Sequence, residues 1–186
     1  MSYFLGFIPN KESNYKIRKV IGDVGMIFSD LGIPVRWVKP VSYHITLFNF
    51  GESFSILQRL LLKKRVSKFQ FKEFDVSLGG VKVGISRKYK ELIYLDINEG
   101  GEELRELVLR IREQFGVKDV SMFVPHLTIG RVSKELSKEE YRNIVKDIGN
   151  ISKNLKVGDI RFRVKEMYLI QSKEGVYSFK MKFEAI

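Results

Sequence analysis

His44-Ile45-Thr46-Leu47 and His126-Leu127-Thr128-Ile129 are two copies of one pattern, and they take up every His and every Thr in the 186-residue chain. Scattering two Thr at random would place both two residues after a His on the order of once in ten thousand trials, which argues against coincidence. Polar and apolar residues alternate through each tetrad. An extended backbone therefore points His and Thr to one face and the two aliphatic side chains to the other. That is how a core strand presents two chemical groups to a cleft. Two such strands, 82 positions apart in the chain, can supply a matched acid and base.

Outward from the tetrads, elements of both kinds can be placed. Tyr3 to Ile8 reads as a strand ended by Pro9-Asn10, and Ser13 as the cap of a helix running to about Leu31. In that helix Ile17, Val20, Ile21, Val24, Ile27, Phe28 and Leu31 recur at three- and four-residue steps. Val35 to Val38 is extended, Pro40 interrupts, and Tyr43 to Phe50 is the first His-containing strand. A second helix is expected on Ile56, Leu57, Leu60 and Leu61, then one or two strands from Phe71 to Val83 around Gly79-Gly80. Leu92 to Ile97 is a strand, Glu103 to Phe115 a helix, and Phe123 to Val132 the second His-containing strand. Ser137 caps a helix to about Ile148, with Glu140 placed for a capping box. Val157 to Ile170 and Val176 to Phe183 read as a closing hairpin turning at Glu174-Gly175.

Both halves of the chain thus run strand, helix, His-strand, helix, strand, with no linker between them. The expectation is one domain over residues 1–186, of α+β class, with two pseudo-symmetric lobes of mostly antiparallel sheet. Helices pack outside and a cleft lies at the centre.

Composition narrows the partners. The formal net charge of +11 favours polyanions such as RNA, DNA or an anionic membrane surface, although Lys on solvated helix faces accounts for part of it. The clusters Lys63-Lys64-Arg65, Arg87-Lys88-Lys90 and Arg161-Arg163-Lys165 are spread out, so the field steers a ligand without identifying it. No apolar run approaches the ~18 residues that span a bilayer. The start, MSYFLGFIPNK, reads as a strand rather than a signal peptide. Without Cys there is no disulfide frame and no thiolate nucleophile or metal ligand. A cytoplasmic monomer is the expectation.

His has a reference pKa of about 6.5 and can serve as acid or base near neutrality. Two of them on facing strands can divide the work, with each Thr hydroxyl donating to an anionic oxygen between the rings. Arg131 closes the second His-strand, where a guanidinium can pair with a phosphate. Strict alternation would turn it away from His126, so a bulge or bend is expected at Gly130. Among the aromatic residues Phe4, Phe7, Phe48, Phe50 and Phe123, most read as core, with Phe7 and Phe48 the candidates to stack on a base at the cleft rim. Trp37 reads as packing. There is no G-x-x-x-x-G-K-[ST] loop and no G-x-S-x-G elbow. Two distant His without neighbouring Asp, Glu or Cys at ligand spacing make a poor metal site. The expected chemistry is phosphodiester cleavage with no metal and no cofactor.

At these residues the chain resembles the two-histidine phosphoesterases, specifically the LigT-like RNA 2′,3′-cyclic phosphodiesterases, also called 2′-5′ RNA ligases. The family's first region, R-W-V-x-x-x-x-x-H-I-T-L-x-F-x-G, is matched from Arg36-Trp37-Val38 to His44-Ile45-Thr46-Leu47 and on through Phe48-Asn49-Phe50-Gly51. The second, F-x-P-H-x-T-x-x-R, is matched by Phe123 to Arg131. The last hairpin is similar too, with Ser172, Gly175 and Tyr177 in order. Asn49 departs from the pattern, and in strict alternation it points away from His44.

The resemblance implies a bilobal fold with the tetrads in its cleft and hydrolysis of terminal 2′,3′-cyclic phosphates to 2′-phosphates. His126 would be the base and His44 the acid. Thr46, Thr128 and Arg131 would hold the phosphate, and Ser172 and Tyr177 would contact substrate. RNA with a cyclic phosphate end is the implied partner, tRNA halves among the candidates, with no membrane involved. Ligation through the 2′-hydroxyl is the reverse reaction. Alternatives are the same site acting on a small cyclic nucleotide, on 2′-5′ oligoadenylate or on RNA 3′ ends, and a basic RNA-binding module without turnover.

Overall fold

The computed structural model describes residues 2–51, 61, 64–65, 69–85, 90–117, 123–152, 154–173 and 176–186. Strands β1 (Ser2–Phe7), β2 (Val35–Trp37), β3 (Ile45–Gly51), β4 (Phe74–Val83), β5 (Leu92–Glu99), β6 (His126–Val132), β7 (Arg161–Val164), β8 (Glu166–Lys173) and β9 (Val176–Glu184) form one sheet. Its order is β7-β4-β5-β6-β3-β1-β8-β9, with β2 also paired to β6. Every described pairing is antiparallel. The α-helices among the described elements are α1 (Lys11–Asp30), α2 (Gly101–Phe115) and α3 (Lys138–Ser152). None of them is long and apolar enough to cross a membrane.

The sheet curls, and its two wings meet at a narrow seam. β3 and β6 share a single register pair, Ile45 with Leu127. One wing is β7-β4-β5-β6 and the other β3-β1-β8-β9. The wings are not the two halves of the chain. The stretch from Val157 to Ile170, expected as one strand, breaks at Lys165: β7 pairs with β4 in one wing and β8 with β1 in the other. The helix expected on Ile56, Leu57, Leu60 and Leu61 lies almost wholly outside the described residues, as does the turn at Glu174-Gly175.

One face of the sheet is buried by the helices. Ile17, Val20, Val24, Ile27 and Phe28 of α1, Leu104, Leu107, Val108 and Ile111 of α2, and Ile144 and Ile148 of α3 join the strands' apolar residues in one core. Asn10, rather than Ser13, caps α1, its side chain accepting the Ser13 N–H at 2.8 Å. Ser13 is buried one turn in, and its hydroxyl donates to the Arg161 carbonyl at 3.0 Å. The capping box of α3 forms as expected: the Glu140 N–H donates to Ser137 Oγ at 3.1 Å, and the Ser137 N–H to Glu140 Oε2 at 2.8 Å. Phe4, Leu92, Tyr94 and Ile170 are buried yet stand outside that core. By register they lie on the opposite face of the sheet, lining the floor of the cleft.

Candidate active site

The seam decides where the tetrads meet. Ile45 and Leu127 point into the core, both fully buried, so the residues flanking them point into the cleft. Carrying the antiparallel register one residue each way sets His44 across from Thr128 and Thr46 across from His126. Each imidazole therefore stands beside the hydroxyl of the other motif. All four side chains are half-buried, open to the cleft rather than sealed in the interior.

Each ring is held in the same way. His44 Nδ1 lies 2.7 Å from the Ser42 carbonyl oxygen, and His126 Nδ1 lies 2.8 Å from the Val124 carbonyl oxygen. A carbonyl oxygen only accepts, so Nδ1 carries the proton in both rings, leaving Nε2 for chemistry. A neutral ring then offers Nε2 as a base and a protonated ring offers Nε2–H as an acid.

Burial holds both imidazoles below the ordinary His value, the leading cause in each case. The carbonyl bonds oppose it by favouring the protonated form. A further cause differs between the rings. The charge of His126 lowers His44, whereas the Arg131 guanidinium lowers His126. His44 thus senses the charge of His126, and His126 that of Arg131.

Arg131 reaches that position through a bulge. Along β5, Ile93 pairs with Gly130 and Tyr94 with Thr128, so Ile129 is an extra residue on β6. The alternation resets there, and Arg131 joins the face of His126 and Thr128 while Ile129 and Gly130 are both buried. A Cβ on Gly130 would lie 2.8 Å from Trp37 Cε3 and 3.1 Å from Val35 Cγ1, so the absent side chain lets β2 close on β6. Arg131 Nη1 donates to Glu91 Oε1 at 3.0 Å, which orients the guanidinium.

Aromatic rings frame the histidines. Phe4 lies 4.7 Å from the His44 ring centroid, and Tyr177 meets His44 edge-on at 5.1 Å. Tyr94 meets His126 edge-on at 5.4 Å. Gly6 pairs with Thr46, and its missing Cβ would sit 3.6 Å from Phe4 Cε2 and 2.7 Å from the Ile45 carbonyl oxygen. Phe4 therefore lies over Gly6 to reach His44. Ser172, paired with Tyr177, shares the cleft face.

Two sequence-derived site residues are not brought to the cleft. Phe7 pairs with Ile45 and is buried in the core against Phe71 and Phe74, with centroids 5.7 and 5.9 Å away. Phe48 packs on Phe50 and on Phe115 of α2, at 4.9 and 6.0 Å. The cause is bulging in β3. Thr46 pairs with Gly6 and Phe48 with Leu5, so Leu47 is extra, and a second shift leaves Phe50 extra. Phe48 thus turns to the core with Leu47, and Asn49, paired with Phe4, turns to the cleft face, the reverse of strict alternation.

Phe4 and Tyr94 were the residues that sequence reasoning missed at the histidines. Phe4 was legible only as a member of an apolar strand; its two-residue spacing from Gly6 was the available signal.

Comparison with known proteins agrees with this fold. LigT of E. coli in its apo form aligns over 99% of this chain and 96% of its own, with a TM-score of 0.71 at 17% identity. The TT0787 protein of Thermus thermophilus aligns over 99% and 97%, with a TM-score of 0.62 at 18% identity. At such identities the likeness concerns the fold. An RNA 2′,3′-cyclic phosphodiesterase from Methanothermobacter thermautotrophicus is 27% identical over 138 residues, covering 72% of this chain and 74% of that protein. The sequence profile of the 2′-5′ RNA ligase superfamily matches residues 36–176, from the Arg36 strand through both tetrads to the last hairpin, and the chain belongs to that superfamily.

Proposed function

We propose that this protein hydrolyses the 2′,3′-cyclic phosphate at RNA ends to a 2′-phosphate without a metal ion. The observation that carries the reading is the pair of imidazoles across the β3–β6 seam, each with Nδ1–H given to a backbone carbonyl and Nε2 left for the cleft. In the proposed step His126 Nε2 takes a proton from a water whose oxygen attacks phosphorus. The bond from phosphorus to the 3′-oxygen breaks, and His44 Nε2–H gives its proton to that oxygen. The products are a 2′-phosphate and a free 3′-hydroxyl. The Arg131 charge beside His126 favours its neutral form, which suits a base. An anionic phosphate between the rings favours the protonated form of His44, which suits an acid. Thr46 and Thr128 donate to the non-bridging oxygens, with Arg131 adding charge as negative charge builds up.

The superfamily match and the named activity of the archaeal relative support the same reaction class. Ligation is the same step with the 5′-hydroxyl of a second RNA in place of water: its oxygen attacks phosphorus, the bond to the 3′-oxygen breaks, and a 2′-5′ linkage forms. The test is incubation with an RNA oligonucleotide ending in a 2′,3′-cyclic phosphate in the presence of EDTA. The expected product carries phosphate on the 2′-oxygen. An unchanged end, or a 3′-phosphate product, overturns the proposal.

A further inference from the structure

Arg36 and Arg131 are directly paired across β2 and β6, so their side chains project from the same face. Trp37 occupies the other face, edge-on to Phe28 at 5.9 Å, which leaves Arg36 exposed on the cleft side. Like charges set opposite one another on a sheet are unfavourable. Glu91 offsets Arg131 at 3.0 Å, but among the described residues no carboxylate forms an ion pair with Arg36. Both guanidinium charges reach the Tyr177 phenol, whose ring touches His44. A cavity of about 480 Å³ opens beside the pair, lined by Arg36, Glu91, Arg131, Val132 and Ser133. Two guanidinium groups side by side at a cavity suit an anion.

We infer that Arg36, set beside Arg131, forms a second phosphate subsite, which takes the phosphodiester on the 5′ side of the terminal nucleotide while Arg131 joins His44 and His126 at its cyclic phosphate. By register Thr128 faces Tyr94 and Arg131 faces Leu92, two β5 positions apart, roughly 7 Å at ~3.3 Å per residue, and Arg36 lies directly across from Arg131. The subsite makes an oligonucleotide, rather than a nucleoside cyclic phosphate, the preferred substrate. The inference rests on the proposed reaction and names its substrate class.

The decisive experiment removes one charge from each partner. Substrates are a short RNA with a 2′,3′-cyclic phosphate end and the same RNA with a neutral methylphosphonate at the linkage 5′ of the terminal nucleotide. In the wild type the neutral linkage is expected to lower kcat/KM by tenfold or more. In Arg36→Gln that ratio is expected to collapse to within about twofold, the charge having lost its partner. A variant as sensitive to the neutral linkage as the wild type overturns the subsite, as does a wild type indifferent to it. The same cycle read as binding of the 2′-phosphorylated oligonucleotides decides the subsite even where no turnover occurs. Absence of turnover with an intact binding cycle sinks the reaction and leaves the subsite standing.

Discussion

Ile45 faces Leu127 across the seam between β3 and β6, and this one pair sets both histidines on the cleft face. Each aliphatic side chain is fully buried in the core behind the sheet, so the alternation of an extended chain leaves its neighbours no other direction. The bulges next to the seam do the finer placement. One brings Arg131 beside His126, and the other sends Phe48 away.

Removing either imidazole tests the division of labour. His44→Ala and His126→Ala are each expected to lower kcat on cyclic-phosphate RNA by at least ~10²-fold. An aryl phosphodiester separates the roles, because a weakly basic leaving group needs no acid. On it His44→Ala should stay within about tenfold of the wild type while His126→Ala remains crippled. The opposite pattern exchanges acid and base.

Stability should depend on pH through the same rings. Both hold their folded-state values below the unfolded value of about 6.5, chiefly through burial. Between those values the unfolded chain binds more protons than the folded one. The stabilisation is therefore complete above about pH 6.5 and is lost as pH falls below it. Thermal midpoints should drop from pH 7.5 to 5.5, and less steeply in the His44→Gln/His126→Gln double variant. The Glu140 carboxylate, held down to about 2 by Lys134 and its capping bonds, stays charged throughout this window. Equal slopes in the two proteins would refute the assignment.

Gly6 bears on the position of Thr46. A Cβ there would come within 2.7 Å of the Ile45 carbonyl oxygen, a backbone atom that moves only with its strand. Gly6→Ala is expected to cost about 1–3 kcal/mol in a urea titration. The displaced β3 should also lower kcat in the folded enzyme. A variant with full stability and full activity would show that β1 and β3 separate without cost.

Core and cleft aromatics should part company on substitution. Phe7→Ala removes a buried ring and is expected to cost about 3–5 kcal/mol, read by chemical denaturation, with KM little changed below the melting range. Tyr177→Leu strips the edge contacts to His44 and Phe4 and should act on kcat and KM more than on stability. If Phe7→Ala raises KM while the fold stays intact, the ring is nearer to substrate than its burial implies.

Local order was largely legible in the chain. Periodicity located α1, α2 and α3, because each buries one stripe at three- and four-residue steps against the sheet. The Ser137/Glu140 box was readable because its bonds close over three residues. The repeated tetrad exposed the histidines, since only an extended strand with a buried partner face makes that alternation useful. The alternation that disclosed His44 also misled at Phe48 and Asn49. A bulge leaves no mark in periodicity when the residues around it are all apolar or aromatic, as in Leu47-Phe48.

What the amino-acid sequence determined by itself was the identity of the four tetrad residues and the mixed α+β character of the chain. Both follow from spacings within a single strand or helix. Pairing decided the rest: the break at Lys165 that shares the C-terminal strands between the wings, the meeting of Phe4 with His44, and the opposition of Arg36 to Arg131. These depend on register between distant strands, and register is set by what the whole core can bury together rather than by any one segment.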